Sequence, residues 1–300
     1  MKLFATDLDG TLLNIDSQIS PENAAAVQKA QQAGLKVTIA TGRVYSDVVA
    51  ISREGGIQTP IIGSNGATIH DENGERLFHL PLERDTAASV MQWLEEHHIY
   101  YEASTQQGIY APLSSHETLL AEMERVLGSS PGEDVERMIQ SIKKHYNKKD
   151  YHRVNSHLEI PAEACIYNIM AFSMNPEKVQ TGREYFASRS DVAMVVSFEH
   201  NFEMQHPDVS KGNALAKLAA HLDISMEDTV AIGDNFNDVS MLQMAGLGIA
   251  MGNGEPEIQA LAKAITLTNV EHGVAHAIHC VLEGKPVTRP ETVIKGDQNQ

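Results

Sequence analysis

Residues 2–11 read KLFATDLDGT, a short apolar run that ends on two carboxylates and a glycine. The apolar residues predict a buried strand, and Asp7 and Asp9 stand where that strand ends. Gly10 lets the chain turn directly after them, so both carboxylates can be brought to one site. Two acids at a strand end suit a hard cation such as Mg²⁺, which takes oxygen ligands. An ordinary Asx-type turn leaving a strand is the plainer interpretation of the same residues.

Predicted strands and helices alternate in the first and last parts of the chain. The predicted strands cover residues 2–6, 35–40, 61–63, 229–233 and 248–251. Helices are predicted between them, beginning near Pro21, Ser210, Asp234 and Pro256. Two further runs, 67–70 and 76–80, flank Asn73-Gly74 and predict a hairpin. The alternation predicts an α/β fold with a doubly wound, mainly parallel, Rossmann-like sheet, in which ligands bind beyond the carboxyl ends of the strands.

The middle of the chain has a different pattern. Apolar residues at helix spacing are grouped there, as at Val90 and Leu94 and again at Val135 and Ile142, with strand-like runs between and after them. This grouping predicts an α+β domain inserted into the α/β core. The predicted divisions are a discontinuous core over 1–81 and 199–285, an α+β cap domain over 82–198, and a flexible tail over 286–300.

The composition restricts the classes of partner. Of the 300 residues, 42% are hydrophobic and 21% charged, as in an ordinary globular protein. The net charge of −17 argues against a general affinity for nucleic acid or acidic membrane surfaces. No apolar run reaches roughly 18 residues, and the N-terminal segment lacks the apolar core of a signal peptide, so we expect no membrane span. Cys165 and Cys280 stand apart and are expected to be buried, reduced thiols of a cytoplasmic protein.

Three more polar clusters follow predicted strands or begin predicted helices. Thr41-Gly42-Arg43 offers a hydroxyl, a glycine amide and a helix start, which together make a seat for phosphate. Lys211 lies in the first turn of a helix, where the dipole disfavours a cation, and this suggests a nearby anion. Residues 233–238, GDNFND, add two acids and two amides at a strand-to-helix turn. A loop, an exposed lysine and a helix cap explain each cluster singly, but their shared position favours one site.

In this order, the four clusters resemble motifs I to IV of the haloacid dehalogenase superfamily of phosphohydrolases. The sequence SNGA at 64–67, the insert between motifs II and III, and EHGVA at 271–275 resemble the Cof-type branch with a class IIB cap. The resemblance covers about residues 1–285. Asp208 departs from it, because many relatives have Gly before the lysine of motif III, but the change affects a turn and not the chemistry.

The resemblance implies a mechanism for this chain. Asp7 is expected to attack the phosphorus of a phosphomonoester and form an aspartyl-phosphate. Asp9 is expected to protonate the leaving alcohol and then to accept a proton from the hydrolytic water. Mg²⁺ is expected to bind the carboxylates of Asp7 and Asp234 and the backbone carbonyl of Asp9. Asp238 is expected to fix Lys211 or a metal-bound water.

The same resemblance assigns the contacts with the phosphate group. Lys211, the Thr41 hydroxyl and the backbone amides of Leu8 and Gly42 are expected to hold its oxygens, since phosphoryl transfer depends mainly on positioning and charge neutralisation. Asn237 is expected beside the phosphate. Arg43 and Asn65 are expected near the cleft between cap and core.

The function predicted from these residues is Mg²⁺-dependent hydrolysis of a small phosphorylated metabolite, such as a sugar phosphate or a nucleotide-precursor phosphate. The chain resembles Bacillus-type members of the family, some of which act on the riboflavin precursor 5-amino-6-(5-phosphoribitylamino)uracil. A phosphomutase of the same superfamily and a non-catalytic sensor of phosphometabolites are the alternatives. We expect no nucleic acid or membrane partner, and a monomer or a weak homo-oligomer.

Overall fold

The computed structural model describes residues 1–127, 151–196 and 199–288. Within these ranges the chain forms one sheet of eight strands and one of six. The helix predicted at 135–142 and residues 289–300 of the predicted tail lie outside the described residues. No helix in the described ranges is long and apolar enough to cross a membrane.

The strands and helices are numbered separately in chain order. The strands are β1 (Leu3–Thr6), β2 (Lys36–Ala40), β3 (Ile61–Gly63), β4 (Thr68–His70), β5 (Arg76–His79), β6 (Tyr100–Thr105), β7 (Gly108–Pro112), β8 (Tyr151–Val154), β9 (Ile166–Phe172), β10 (Ala193–Val195), β11 (Asn201–Gln205), β12 (Thr229–Gly233), β13 (Leu247–Ala250) and β14 (Ala264–Ile265). The helices are α1 (Pro21–Gln32), α2 (Tyr45–Glu54), α3 (Arg84–Glu96), α4 (Leu113–Leu127), α5 (Pro176–Ala187), α6 (Lys211–His221), α7 (Val239–Met244), α8 (Pro256–Leu261) and α9 (Gly273–Glu283).

The eight-stranded sheet has the order β14-β13-β12-β1-β2-β3-β4-β5. Its strands from β14 to β3 are parallel, and β4 and β5 continue it as an antiparallel hairpin. This arrangement confirms the predicted α/β fold and the predicted hairpin. In the sheet, β2 is the neighbour of β1 in one direction and β12 is its neighbour in the other. The strand order therefore reverses at β1, which is the topological switch point of the sheet.

Helices cover both faces of this sheet, because neighbouring residues of a strand point to opposite faces. Phe4 of β1 packs in the apolar cluster that contains α1 and α9, whereas Leu3 and Ala5 pack in the cluster that contains α6 and α7. Helix α1 begins where expected, with Pro21 in its first turn and the Ser20 side chain accepting the Asn23 N–H at 3.2 Å.

The six-stranded sheet has the order β10-β11-β9-β6-β7-β8. Its strands pair antiparallel except β7 with β8. A separate apolar core joins this sheet to α3 and α5, and it includes the fully buried side chains of Leu94, Phe186 and Phe202. Two separate cores agree with the prediction of an inserted α+β segment.

One predicted boundary is wrong. The sequence analysis assigns residues from 199 onward to the core, but β11 pairs antiparallel with β9 and β10 in the six-stranded sheet. The physical reason is that Phe202 and Met204 are fully buried in the core of that sheet. The chain rejoins the layers of the eight-stranded sheet with α6. The division into core and cap domains stays a prediction.

The two cysteines are free thiols. Both are half-buried instead of fully buried as predicted. The Sγ atom of Cys280 lies 3.6 Å from His276 Nε2, and burial raises the pKa of this thiol.

Candidate active site

The carboxyl ends of β1, β2 and β12 lie side by side in the eight-stranded sheet. After β1 the chain makes a tight helical turn, Leu8–Leu12, in which Gly10 has a φ of +72°. A Cβ atom on Gly10 would stand 2.4 Å from Asp234 Oδ2, which is too close for two non-bonded atoms. Glycine at position 10 therefore lets the turns after β1 and β12 approach each other.

The ammonium group of Lys211 is completely buried between two carboxylates. Its Nζ atom donates to Asp7 Oδ1 at 2.5 Å and to Asp238 Oδ1 at 2.6 Å. Burial by itself would lower the pKa of Lys211, but Asp238 and Asp7 raise it overall. Lys211 is therefore charged, and it supplies the buried site with a fixed positive charge.

Asp238 holds both Lys211 and the loop after β12. Its Oδ1 atom accepts from Lys211, while its Oδ2 atom accepts the backbone N–H groups of Asp234 at 2.9 Å and Asn235 at 3.0 Å. The preceding Gly233 is tightly enclosed, because a Cβ atom there would lie 2.4 Å from Asp238 Cγ. Of the two positions expected for Asp238, the structure shows the contact with Lys211.

Asp7 and Asp234 form an acidic pair beside this network. The Thr11 hydroxyl donates to Asp234 Oδ1 at 2.9 Å. Burial, followed by repulsion from Asp238, raises the pKa of Asp7 well above its usual value and that of Asp234 to about 6. Burial therefore disfavours the charged form of both carboxylates, the nearby Asp238 adds to this effect, and Lys211 opposes it.

This arrangement fits a divalent cation. Carboxylate oxygens of Asp7, Asp234 and Asp238 lie within 4.8 Å of one another. Since the oxygens of Asp238 already accept hydrogen bonds, Asp7 and Asp234 are the carboxylates that could hold the ion. Hard carboxylate oxygens suit Mg²⁺, and a cation here would favour the ionised form of both carboxylates. The backbone carbonyl of Asp9 as a further ligand stays a prediction.

The Asp9 carboxylate is directed to a different partner. It forms a two-pronged ion pair with Arg43, whose Nε and NH2 atoms donate to it at 2.7 and 2.6 Å. This hydrogen bonding raises the pKa of Arg43. Because both carboxylate oxygens of Asp9 accept hydrogen bonds from Arg43, a proton-donating role for Asp9 requires that this ion pair opens.

The remaining predicted residues surround the same edge of the sheet. Thr41 is buried, and its carbonyl oxygen accepts the Asn65 N–H at 2.9 Å. A Cβ atom on Gly42 would lie 3.1 Å from Asn65 Oδ1, which also accepts a hydrogen bond from Asn237 at 3.1 Å. Leu8 is fully buried in the turn after β1. The structure therefore brings the predicted residues of all four motifs together.

Two site residues, Glu203 and Thr11, have no assigned role in the sequence prediction. Glu203, on β11 of the second sheet, accepts from Asn168 Nδ2 at 2.7 Å and from Asn65 Nδ2 at 3.3 Å. Thr11, which contacts Asp234, lies just beyond the paired acids of the first motif. A signal for Glu203 exists in the sequence, because it is a charged residue between the apolar Phe202 and Met204 of a strand.

Comparison with known proteins agrees with this geometry. The family model of haloacid dehalogenase-like hydrolases matches residues 4–278. The chain belongs to this family. It is 42% identical to the phosphatase YwpJ of Bacillus subtilis, over 94% of this chain and 100% of that protein. It is 33% identical to the 5-amino-6-(5-phospho-D-ribitylamino)uracil phosphatase YwtE of the same species, over 95% and 99% of the two chains.

A solved structure of a haloacid dehalogenase-like hydrolase from B. subtilis has the same fold. Its TM-score is 0.81 at 41% identity, and the match covers 93% of this chain and 99% of that one. Together with the named phosphatases, this similarity makes the chain a Cof-type phosphatase of the haloacid dehalogenase superfamily.

Proposed function

We propose that this phosphatase is Mg²⁺-dependent and hydrolyses a small phosphorylated metabolite through an aspartyl-phosphate on Asp7. The observation that supports the proposal best is the position of the Asp7 carboxylate between the buried ammonium of Lys211 and the carboxylate of Asp234. A nucleophilic carboxylate, a fixed cation and a second acid therefore meet at one strand end. Asp7 and Asp234 would hold the Mg²⁺ ion.

In this mechanism Asp7 attacks the phosphorus, and the bond between phosphorus and the leaving oxygen breaks. When bound, Mg²⁺ supplies positive charge that lets an anionic carboxylate approach an anionic phosphate. Lys211 neutralises charge that develops on the phosphate oxygens, and its own position is fixed by Asp238. The Thr41 hydroxyl and the Gly42 amide orient the phosphate group for in-line attack.

Asp9 moves the protons of the two half-reactions. Its carboxyl group gives a proton to the leaving alcohol oxygen, and the resulting carboxylate then takes one from the water that attacks the aspartyl-phosphate. The ion pair with Arg43 holds Asp9 away from this role until substrate arrives, because both carboxylate oxygens accept hydrogen bonds from the guanidinium. When the ion pair opens, Arg43 can contact the substrate.

The substrate class is inferred from the relatives. The resemblance to phosphatases of a phosphoribitylaminouracil supports a small metabolite with a polar leaving group, such as a sugar phosphate or a nucleotide-precursor phosphate. The cleft between the two sheets is where such a leaving group would lie, since Asn65 of one sheet meets Glu203 of the other there.

The test is phosphate release across a panel of phosphorylated metabolites, with Mg²⁺ and with EDTA, for the wild type and Asp7→Asn. We expect release that requires Mg²⁺ and falls by at least about a thousandfold in the variant, because the nucleophile is lost. The Ile15→Val variant changes a largely exposed side chain and serves as the control. Metal-independent release, or full activity of Asp7→Asn, contradicts the proposal.

Adding a bisphosphate, an assay for isomeric products and a binding measurement to the same panel separates the two alternatives. A phosphomutase requires an added bisphosphate and returns an isomeric monophosphate, whereas a phosphatase releases inorganic phosphate without it. A sensor binds phosphometabolites but releases no phosphate. Trapping of one phosphate on wild-type protein, followed by its loss to water, supports the proposed aspartyl-phosphate.

A further inference from the structure

A cavity of about 470 Å³ lies between the two sheets, next to the site just described. One wall is formed by the start of α2 and by the β4–β5 hairpin, and the other wall by the β6–β7 loop and Tyr167 of β9. Val44, which lines the cavity, directly follows Arg43, and Ser64 directly precedes Asn65. The cavity is therefore placed to hold a part of the substrate that extends away from the phosphate.

Two buried polar side chains of this cavity have unsatisfied atoms. Thr68 is 4% exposed and His70 is 8% exposed. Within the described residues, Thr68 Oγ1 and His70 Nδ1 are buried without a hydrogen-bond partner. A buried polar atom without a partner is costly, so two of them in one cavity point to a polar group that binds there.

The charged side chain that lines the cavity is positive. Arg76 is the charged side chain among the lining residues, which include no carboxylate, although the chain as a whole has a net charge of −17. Burial and the neighbouring Arg76 lower the pKa of His70 to about 4, against the opposing effect of Asp71, so His70 is neutral near pH 7. Arg76 NH1 donates to Tyr167 Oη at 3.0 Å, and the same Oη atom lies 3.2 Å from His79 Nδ1.

The other lining groups add hydrogen-bond donors. The ten-residue helix α2 begins beside the cavity, and its N-cap Val44 provides no side-chain cap for the first N–H groups. Gln107 Oε1 already accepts from Tyr110 at 3.1 Å, so its side-chain N–H groups remain for the cavity. Arg76 and Gln107 provide side-chain donors on opposite walls of the cavity, and no carboxylate is among the residues that line it, although Asp47 lies in the first turn of α2.

We propose that this cavity binds an anionic group, a carboxylate or a second phosphate, on the leaving portion of the substrate. The preferred substrates are then phosphate monoesters whose alcohol portion has a second negative charge. This inference rests on the proposed function, because it assigns the phosphate itself to Asp7 and Lys211. Arg76 contacts the second anion and determines which ester is preferred.

The experiment compares matched pairs of esters that differ by one carboxylate. The pairs are 3-phosphoglycerate with glycerol 3-phosphate, and phosphoserine with phosphoethanolamine. We expect the wild type to have a higher kcat/KM for the carboxylate member of each pair. In Arg76→Gln the ratio of the two kcat/KM values should fall about tenfold, mainly through KM, because a charge-assisted hydrogen bond is removed. Arg53→Gln, at the opposite end of α2, is the matched control and should keep the preference.

A second variant tests the other wall of the cavity. Gln107→Glu places a carboxylate beside the proposed anion, so we expect it to shift the preference toward glycerol 3-phosphate and phosphoethanolamine. An unchanged preference in both Arg76→Gln and Gln107→Glu overturns the inference, and so does a wild type that does not distinguish the members of either pair.

Failure of the proposed function has a different signature. If the wild type with Mg²⁺ releases no phosphate from p-nitrophenyl phosphate or from either pair, the proposed phosphatase mechanism fails. Calorimetric binding of the same pairs to wild-type and Arg76→Gln protein then tests the cavity without turnover. Tighter binding of the carboxylate member, lost in Arg76→Gln, supports the anion subsite, and equal or absent binding overturns it.

Discussion

Lys211 is a buried cation shared by two buried carboxylates, and its environment explains why it stays charged. A buried ion pair of this kind is weak evidence for stability, because desolvation offsets much of the attraction between the charges. Its effect here is to hold the ammonium group of Lys211 in one position. Asp238 fixes the ammonium group, and the ammonium group then faces the Asp7 carboxylate. The arrangement keeps a positive charge beside Asp7, the proposed nucleophile.

The first prediction concerns Asp238. We expect Asp238→Asn to lower the free energy of unfolding by about 3 kcal/mol, because it leaves the buried ammonium with one carboxylate and disturbs the loop after β12. Urea unfolding measures this change. The control is Asp228→Asn, which breaks an exposed ion pair with Lys2 and should cost less than about 1 kcal/mol. Similar losses in the two variants would contradict the assigned role of Asp238.

The second prediction concerns the pH dependence at His70. Its pKa in the folded protein is about 4, below the usual 6.5, mainly because of burial, so the unfolded chain binds the proton more readily. The free energy of unfolding therefore has its full value above pH 6.5. It falls as the pH falls toward 4, because protons then bind His70 in the unfolded chain and not in the folded one. We expect the wild type to lose roughly 2–3 kcal/mol relative to His70→Asn across that window, measured by urea unfolding at several pH values. A pH-independent difference between the two proteins would refute this.

At the scale of elements, the turn after β1 is the connection that determines the site geometry. Strand ends alone place Asp7, Thr41 and Asp234 at one edge of the sheet. The approach of the β1 and β12 turns further requires that position 10 has no side chain, since a Cβ atom would overlap Asp234.

Gly10→Ala is the corresponding variant. We expect it to reduce phosphate release more than tenfold, because the new Cβ atom displaces Asp234 and the backbone must keep a φ of +72°. Gly34→Ala is the matched control, since Gly34 also has a positive φ, of +85°, but a Cβ atom there meets nothing within 4 Å. The control should lose about 1 kcal/mol of stability and keep its activity. Equal activities of the two variants would show that position 10 does not shape the site.

The sequence predicts features that depend on local pattern better than it predicts contacts between residues far apart in the chain. Three of the four motifs could be predicted because they follow strands of the parallel sheet, which bring their carboxyl ends to one edge, and the fourth, with Lys211, begins a helix. The contact of Glu203 with Asn65 could not, because it joins residues 138 positions apart from two different sheets. The boundary at 199 failed for a similar reason, since the pairing of β11 depends on which core its apolar side chains join.

At the scale of the whole molecule, the two sheets have separate apolar cores, and polar residues meet between them. Asn65 and Arg76 come from the eight-stranded sheet and its turns, whereas Glu203 and Gln107 come from the six-stranded sheet. In the proposed mechanism the phosphate binds at the edge of the eight-stranded sheet, and the leaving group contacts both sheets. Substrate choice can therefore vary through the second sheet while the catalytic edge of the first is unchanged.

The final prediction concerns the coupling of Mg²⁺ binding to the stability of the whole chain. A ligand that binds only the folded state stabilises it by about 2.7 kcal/mol at one hundred times its Kd, which raises Tm by several degrees. We expect Mg²⁺ added to EDTA-treated wild type to give this shift, because the ion offsets the repulsion among Asp7, Asp234 and Asp238. Asp234→Asn removes one ligand and much of that repulsion, so it should melt higher than the wild type in EDTA and respond little to Mg²⁺. Asp16→Asn, an exposed acid outside the cluster, should respond like the wild type, and an equal response of Asp234→Asn would place the ion elsewhere.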